Sequence, residues 1–250
     1  MKITLLGSGT AVPSLMRNSA GVLVQCEGQN NLFDFGYGNL RQLLRLGITY
    51  HDIDRIFFTH NHPDHMCDLI IFLFGSRYHH DPRTKDLPIV AGPGFKKFFD
   101  GVIKAFGRWL APTAYKIDII EQDEETRVHG GLRVTSKRVN HIEISRGYRV
   151  EGASGATVAI SGDTDYCAGM VELGKDADLM ILECSFPDEL KCAGHLTPRL
   201  AGRLAREAAC KKLCLTHFYP PCDLQEVRKV CREEYSGDLF LAEDLLTFEL

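Results

Sequence analysis

The sequence lacks any apolar run long enough to cross a bilayer. Beside its histidine-rich stretch the longest, Leu69 to Phe74, is six residues where about twenty are needed, so no membrane role is expected. It lacks a signal-peptide pattern at Met1-Lys2-Ile3, and its nine cysteines include no Cys-x-x-Cys pair. An odd, scattered set of this kind reads as reduced thiols in a cytosolic protein, not as a disulfide framework. It lacks a surplus of positive charge. The formal net charge of −4 argues against a global attraction to nucleic acid and leaves room only for a local basic patch. Repeats, low-complexity tracts and Pro/Gly/Ser linkers are missing too, so a single domain over residues 1–250 is expected. At 44% hydrophobic and 25% charged, the chain has the composition of a soluble globular protein able to bury a sizeable core.

What is present is concentrated. Three of the ten histidines crowd with an aspartate into Thr59-His60-Asn61-His62-Pro63-Asp64-His65. The run Arg55-Ile56-Phe57-Phe58 reads as a buried strand leading into it. On an extended strand end, residues two apart share a face, so His60 and His62 can aim at one metal. Pro63 stops the strand, and Asp64-His65 opens a helical apolar segment, Met66 to Phe74. Asp64 and His65 therefore leave the backbone in another direction and can serve a second metal. A bare polar loop with Asp64 as its cap has no use for three histidines.

Around this stretch, strands are expected at 2–6, 20–26 and 31–35. A helix follows, with Leu40, Leu43, Leu44 and Leu46 at helical spacing. Gly7-Ser8-Gly9-Thr10 lacks the Lys-Ser/Thr and the full glycine spacing of a phosphate cradle and reads as a tight turn. After a strand near 88–91, the segment Phe95 to Leu110 sets Lys97, Lys104 and Arg108 on one face, either merely solvated or a nucleic-acid contact. His79-His80, beside Asp81-Pro82-Arg83, reads as an exposed loop outside any site. The second half is expected to form strands at 114–120, 132–139, 147–151 and 156–161. Helices near 166–174, 198–209 and 223–233 then alternate with strands at 179–183, 213–216 and 238–241. Strand runs with helices in both halves suggest two sheets face to face with helices outside.

Three strand ends in the second half each deliver one more candidate ligand. They are His141 after 132–139, Asp163 after Thr157 to Ile160, and His217 after Leu213 to Leu215. Singly, each is an ordinary turn or cap residue; together, after the first motif, they complete a ligand set.

His60-x-His62-x-Asp64-His65 after a hydrophobic strand resembles the signature of the metallo-β-lactamase superfamily of binuclear metallohydrolases. The resemblance implies an α/β fold, a four-layer αββα sandwich. It implies that His60, His62 and His141 hold one metal, that Asp64, His65 and His217 hold a second, and that Asp163 bridges them. Two metals so bridged sit about 3.5–4 Å apart and share the hydroxide that attacks. The imidazole-rich set suits two Zn2+, while the carboxylates also admit Mn2+ or Fe2+. Asp34 resembles an acid that orients a ligand histidine, its plain alternative being a helix cap.

The order of Leu6-Gly7-Ser8-Gly9-Thr10, Arg17-Asn18, Asp34-Phe35-Gly36, Glu183-Cys184-Ser185-Phe186, Gly194-His195-Leu196-Thr197 and Thr216-His217 is similar to ribonuclease Z and its phosphodiesterase relatives. This similarity runs over nearly the whole chain. It implies cleavage of phosphodiester bonds, as at an RNA 3′ end, and a homodimer. Its catalytic candidates are Asp64, His195 and Glu183, with His195 near the leaving group. A phosphodiester's alkoxide leaves poorly unless protonated, and a carboxylate partner raises a histidine's pKa toward that task. The chain also departs from the family. Only 21 residues lie between His141 and Asp163, where ribonuclease Z enzymes usually carry a long tRNA-gripping arm. Pro13-Ser14-Leu15-Met16 lacks the family's lysine, and Phe218-Tyr219-Pro220-Pro221 lacks its arginine. A small cyclic phosphate or cyclic nucleotide is therefore the alternative substrate. Further alternatives are a thioester or lactam hydrolase, for which His195 and Glu183 have no evident use, and a non-catalytic metal-binding module, which needs no open coordination position.

Overall fold

The computed structural model describes all 250 residues. Its first half runs β1 (Lys2–Gly7), β2 (Gly21–Cys26), β3 (Gln29–Phe33), α1 (Asn39–Arg45), β4 (Ile53–Phe57), α2 (Pro63–Gly75), β5 (Leu87–Ala91), α3 (Phe95–Phe106) and β6 (Ile117–Glu121). The second half runs β7 (Thr126–His129), β8 (Leu132–Arg138), β9 (Arg146–Glu151), β10 (Thr157–Ile160), α4 (Ala168–Gly174) and β11 (Leu179–Glu183). It continues through α5 (Pro198–Ala208), β12 (Lys212–Thr216), α6 (Leu224–Arg232), β13 (Asp238–Leu241) and β14 (Thr247–Glu249). The strands make two seven-stranded sheets, β14-β1-β2-β3-β4-β5-β6 and β13-β12-β11-β10-β9-β8-β7.

Three apolar clusters stack these elements into four layers. Between the sheets, Ile3, Val24, Phe33, Phe57 and Val90 of one meet Val134, Tyr148, Val158, Leu179 and Ile181 of the other. On the outer face of the first sheet, Leu43, Leu69, Phe72, Leu73 and Phe95 pack the helices of the first half. On the second, Met170, Leu173, Ala201, Leu204 and Val227 do the same. The result is the expected αββα sandwich. Every residue of β10 and β11 is buried, because a helix covers one face and the other sheet covers the second. Phe33 and Phe57 sit in register on neighbouring parallel strands, with rings stacked 4.4 Å apart. Burying such a ring stabilises by about 1.5–3 kcal/mol, and the ring pair adds about 1 kcal/mol more.

Two strands escape sequence patterning. In β7 three of four side chains are exposed, so no apolar alternation marks it. β14 is three residues long and brings the C-terminus back to pair with β1. A second difference lies at the histidine motif. β4 ends at Phe57, so His60 and His62 stand on the loop beyond it and not on an extended strand end. Pro63 takes the first position of α2, as its fixed φ and missing N–H favour.

The parallel strands decide where chemistry can occur. β3 to β6 run parallel in one sheet, and β10 to β13 in the other. Asp34 follows β3, Thr59-His60 follows β4, Asp163 follows β10, Glu183 ends β11 and His217 follows β12. In open α/β sheets, ligands bind outside the carboxyl ends of the strands. Hydrogen bonds join the two sheets there, from Tyr148 Oη to the Phe58 carbonyl (2.9 Å) and from the Arg146 amide to the Thr59 carbonyl (2.8 Å).

Gly36 lets the β3 loop lie against α2. The Phe35 amide donates to the His65 carbonyl and the Asp68 amide to the Phe35 carbonyl. A Cβ on Gly36 would stand 2.1 Å from the Asp64 carbonyl oxygen and 2.7 Å from that of Ala20, both main-chain atoms that cannot swing away. Gly36→Ala should therefore destabilise by about 2 kcal/mol, a fall of about 4–8 °C in melting temperature. Thermal unfolding followed by circular dichroism checks this; an unchanged midpoint would mean that the loop and the start of α2 move apart freely.

Candidate metal centre

All seven sequence-predicted ligands converge. His60, His62, His141 and Asp163 form one group, and Asp64, His65 and His217 another, with ligand atoms inside each group within 4.8 Å of one another. Asp163 divides its oxygens between them. Its Oδ2 lies 3.7 Å from His60 Nε2 and 3.8 Å from His141 Nε2. Its Oδ1 lies 3.2 Å from His65 Nε2 and 3.5 Å from His217 Nε2. Asp64 Oδ2 is 3.3 Å from His217 Nε2 and 3.9 Å from His65 Nε2, and His62 Nδ1 is 3.2 Å from His141 Nε2. Donors about 2.0–2.1 Å from one tetrahedral zinc would stand about 3.3 Å apart, so these separations suit edges of a coordination polyhedron.

Polar atoms without partners argue the same way. His60 Nε2, His65 Nε2 and Asp163 Oδ1 are buried and make no hydrogen bond, although the last two are close neighbours. They face the interiors of the two groups, His60 one and His65 with Asp163 Oδ1 the other. Each such orphan costs about 1–3 kcal/mol unless something accepts its lone pair. The donor set of imidazoles and carboxylates therefore fits divalent metal.

The ionisation pattern agrees. Burial, with the neighbouring imidazoles, drives His60 well below the ordinary histidine range, and burial lowers His141 as well. Both are thus neutral with a lone pair free. Burial alone would raise Asp163, but His217 and His65 outweigh it and hold the carboxyl well below its usual range. Burial also opposes charge on His65, yet Asp163 and Asp34 raise it well above the histidine range. An ion bound there must displace that proton.

Outer groups orient the ligands. Asp34 is no helix cap: its Oδ2 accepts from His65 Nδ1 (2.8 Å), and its Oδ1 accepts from the Thr59 amide (2.8 Å). His141 Nδ1 donates to the Gly194 carbonyl (3.0 Å), leaving Nε2 for the centre. A Cβ at Gly194 would come within 2.9 Å of that ring, and φ is +83° there, so glycine suits the position. Asp34 and His217 both have φ of +61°, strained for residues with a Cβ and tolerated where side chains must be aimed.

His195 falls in a third such ligand group with Asp163 and His217, but its ring is turned to a different partner. Its Nδ1 is 2.9 Å from Glu183 Oε1, which leaves Nε2 for another partner. Although Asp163 lies 4.0 Å from His195 Nδ1, that nitrogen is already committed, so we do not count it among the ligands. Burial opposes protonation of His195, but the hydrogen bond and charge of Glu183 outweigh it and raise the pKa. Glu183 is itself pushed up by burial. Phe186 and Tyr219, stacked 4.7 Å apart, form an aromatic wall 5.8 Å and 6.4 Å from the His195 ring. Burial pushes the Tyr219 phenol up to about 12, so it stays protonated. Next to the wall opens a cleft of about 350 Å³ lined by Val12, Pro13, Arg17, Phe218, Tyr219 and Leu224 among others.

Sequence reasoning missed Thr59 and Ser185, whose hydroxyls touch His60 and His217, and the aromatic wall. Ser185 lies two residues after Glu183, the spacing that shares a strand face, so period-two reading could have found it. His79 and His80 are exposed, and neither belongs to a metal-holding group. Lys97, Lys104 and Arg108 are exposed too, with Arg108 in a separate 3₁₀ turn after α3.

Comparison with known proteins agrees with this geometry. A family model described as "Beta-lactamase superfamily domain" matches residues 30–218. Ribonuclease Z of Brevibacillus brevis is 30% identical over 299 aligned positions, covering 98% of this chain and 90% of that protein. Because 299 exceeds the 250 residues here, the relative carries inserted residues that this chain lacks. The crystal structure of human short-form tRNase Z superposes with a TM-score of 0.80 at 26% identity, covering 100% of this chain and 99% of that one. The metallo-β-lactamase fold protein YhfI from Bacillus subtilis superposes at 0.87 with 24% identity, covering 99% and 98%, a likeness of fold. The chain belongs to the metallo-β-lactamase superfamily, and its sequence relatives make it ribonuclease Z-like.

Proposed function

We propose that this protein is a two-metal phosphodiesterase, folded as one domain over residues 1–250, and that it works on the ends of RNA or on small cyclic phosphates. One observation carries the reading: Asp163 offers a separate oxygen to each of two imidazole clusters, beside a histidine held by a buried glutamate. His60, His62 and His141 would hold one ion, Asp64, His65 and His217 the other, with Asp163 between. Zinc is the natural occupant of so many imidazoles, manganese or iron the alternatives. Bound metals supply Lewis acidity toward the phosphoryl oxygens and lower the pKa of coordinated water. With Nδ1–H donating to Glu183, whose hydrogen bond and charge favour the charged ring against burial, the imidazolium form of His195 carries its second proton on Nε2 and would pass it to the departing oxygen. Phe186 and Tyr219 wall the same side against solvent. Relatives named ribonuclease Z and tRNase Z support the RNA substrate.

Several features favour the small diester. The segment from His141 to Asp163 holds only β9, β10 and their turns, with no arm. The cleft beside His217 offers Arg17 as its one cation, and Leu15 and Met16 stand exposed on the loop that contributes to it. Arg17 is tied back by Nη1, which donates to Ser8 Oγ and the Ala242 carbonyl. The nine cysteines are all free, which suits a reducing, cytosolic compartment, and no helix is long and apolar enough to cross a membrane. A homodimer would cover the exposed apolar side chains Ile71, Phe74, Phe106 and Trp109.

Protein purified without chelator and supplied with zinc should bind two equivalents per chain by elemental analysis, and Asp163→Ala at most one tightly. A wild-type stoichiometry that never exceeds one removes the bridge.

His195→Ala should retain its metals and lose about a hundredfold to ten-thousandfold on diesters with poor leaving groups. Activated bis-p-nitrophenyl phosphate should suffer less. Because the His195 pKa is raised, the acid form is present below it and lost as pH climbs through it; wild-type turnover of poor-leaving-group diesters should fall over that range. Equal losses on both substrate types would take His195 out of the acid role.

Precursor tRNA should bind weakly. With Lys97, Lys104 and Arg108 as its basic face, the slope of log K against log salt should be no steeper than about −3. Replacing all three by Ala should abolish that binding and spare small-diester turnover. Turnover compared across precursor tRNA, cyclic nucleotides and a thioester decides between the substrates. Accurate tRNA cleavage at nanomolar enzyme and physiological salt would restore the full ribonuclease Z assignment.

A further inference from the structure

Two buried hydroxyls stand in the same relation to the two halves of the centre. Thr59 Oγ1 donates to Asp34 Oδ2 (2.8 Å) and lies 3.0 Å from His60 Nδ1. Ser185 Oγ donates to Glu183 Oε2 (2.6 Å) and lies 3.0 Å from His217 Nδ1. A hydroxyl has one hydrogen, and a carboxylate can only accept. With that hydrogen committed to the acid, the oxygen can only accept from the imidazole, so the hydrogen of His60 and of His217 must sit on Nδ1. Nε2 is then bare, and in both residues Nε2 is the atom facing Asp163.

The same two carboxylates each hold another histidine directly, Asp34 at His65 Nδ1 and Glu183 at His195 Nδ1. Each half thus has one acid, one hydroxyl and two imidazoles; the acid, the hydroxyl and one imidazole follow neighbouring parallel strands, β3 and β4 in one sheet and β11 and β12 in the other, while His65 comes from α2 and His195 from the loop before α5. The four outer groups are at most 4% exposed, so water does not compete for these bonds. Gly162 presses on Thr59, where a Cβ would come within 2.4 Å of the side chain, and this fixes the hydroxyl's direction.

We propose that Thr59 and Ser185 are positioning residues whose hydroxyls, polarised by Asp34 and Glu183, lock His60 and His217 in the Nδ1–H form and so present Nε2 to metal. The inference rests on the metal-binding reading above but not on any substrate. Through Ser185, Glu183 serves both a metal ligand and the His195 acid, and the two functions share one hydrogen-bond network.

The test uses zinc-loaded full-length protein. Thr59→Val keeps the shape and removes the hydroxyl, as Ser185→Ala does with little change of volume; Thr59→Ser and Ser185→Thr keep it. Zinc affinity is read by competition with a chromophoric chelator, and the tautomers by ¹⁵N chemical shifts of the imidazoles. Wild type should show His60 and His217 protonated on Nδ1 and metallated on Nε2. The hydroxyl-free variants should lose about 10–100-fold in zinc affinity, the usual cost of losing such a partner, with altered shifts at His60 in Thr59→Val and at His217 in Ser185→Ala, where His195, whose Nδ1 is 3.2 Å from the same hydroxyl, shifts too. The hydroxyl-retaining variants should stay near wild type. Unchanged affinity and shifts in Thr59→Val and Ser185→Ala overturn the proposal, as do equal losses in all four variants, which would mark a steric role. Failure to hydrolyse diesters leaves these readouts intact, whereas wild type that takes up no zinc refutes both readings.

Discussion

A single buried carboxylate, Asp163, ties the two halves of the molecule together. It follows β10 in the second sheet, yet His60 and His65 come from the first. Ionised and 3% exposed, it would be costly in an apolar interior. Imidazoles from both sheets, and the cations they can hold, offset that cost. The centre is therefore also a joint between the sheets, and metal binding should feed into the stability of the sandwich through linkage.

Around that joint the backbone is bent for aim and not for economy. Asp34 and His217 occupy left-handed conformations, and the His217 and Phe218 amides both donate to the Ser8 carbonyl. Ser8 is in turn fixed by Asp244, whose carboxylate accepts from the Ser8 amide and hydroxyl, from Asn18 and from Gln42. A residue six positions from the C-terminus thus braces the turn that supports a ligand from the second sheet. The pairing of β14 with β1 puts it there. The glycine-rich turn Gly7-Ser8-Gly9-Thr10 works as a structural hinge point for His217, with no phosphate cradle in it.

The groups that suit phosphoryl chemistry converge, while the chain lacks a long arm of the kind that would grip a polynucleotide. The ligand groups, the Glu183–His195 pair and the aromatic wall lie together at one edge of both sheets. The arm is missing, the loop tip at Leu15 and Met16 is apolar, and the cations Lys97, Lys104 and Arg108 belong to α3 and the turn after it. Catalysis depends on buried strand ends, which a fold keeps; substrate size depends on loops and insertions, which can be lost without disturbing the core.

The sequence alone determined the chemistry. His60, His62, Asp64 and His65 fall within six positions, and strand ends at His141, Asp163 and His217 carry local apolar patterns, so the candidate ligands that converge and the αββα layering were legible from short-range information. Phe57 and Phe58 marked the strand that leads in, although the extended geometry expected at His60 is a loop. The strands β7 and β14 were not legible: one is mostly exposed and the other has three residues, so their partners, not their composition, define them. Only the tertiary structure decided which oxygen of Asp163 faces which cluster, that Asp34 meets His65 instead of capping a helix, and that the Thr59 and Ser185 hydroxyls lie beside His60 and His217. Those facts depend mostly on contacts between residues far apart in the chain, 31 positions for Asp34 and His65 and 32 for Ser185 and His217, whose angles are set by how two sheets pack, and no local pattern in a chain encodes the angle at which distant strand ends meet.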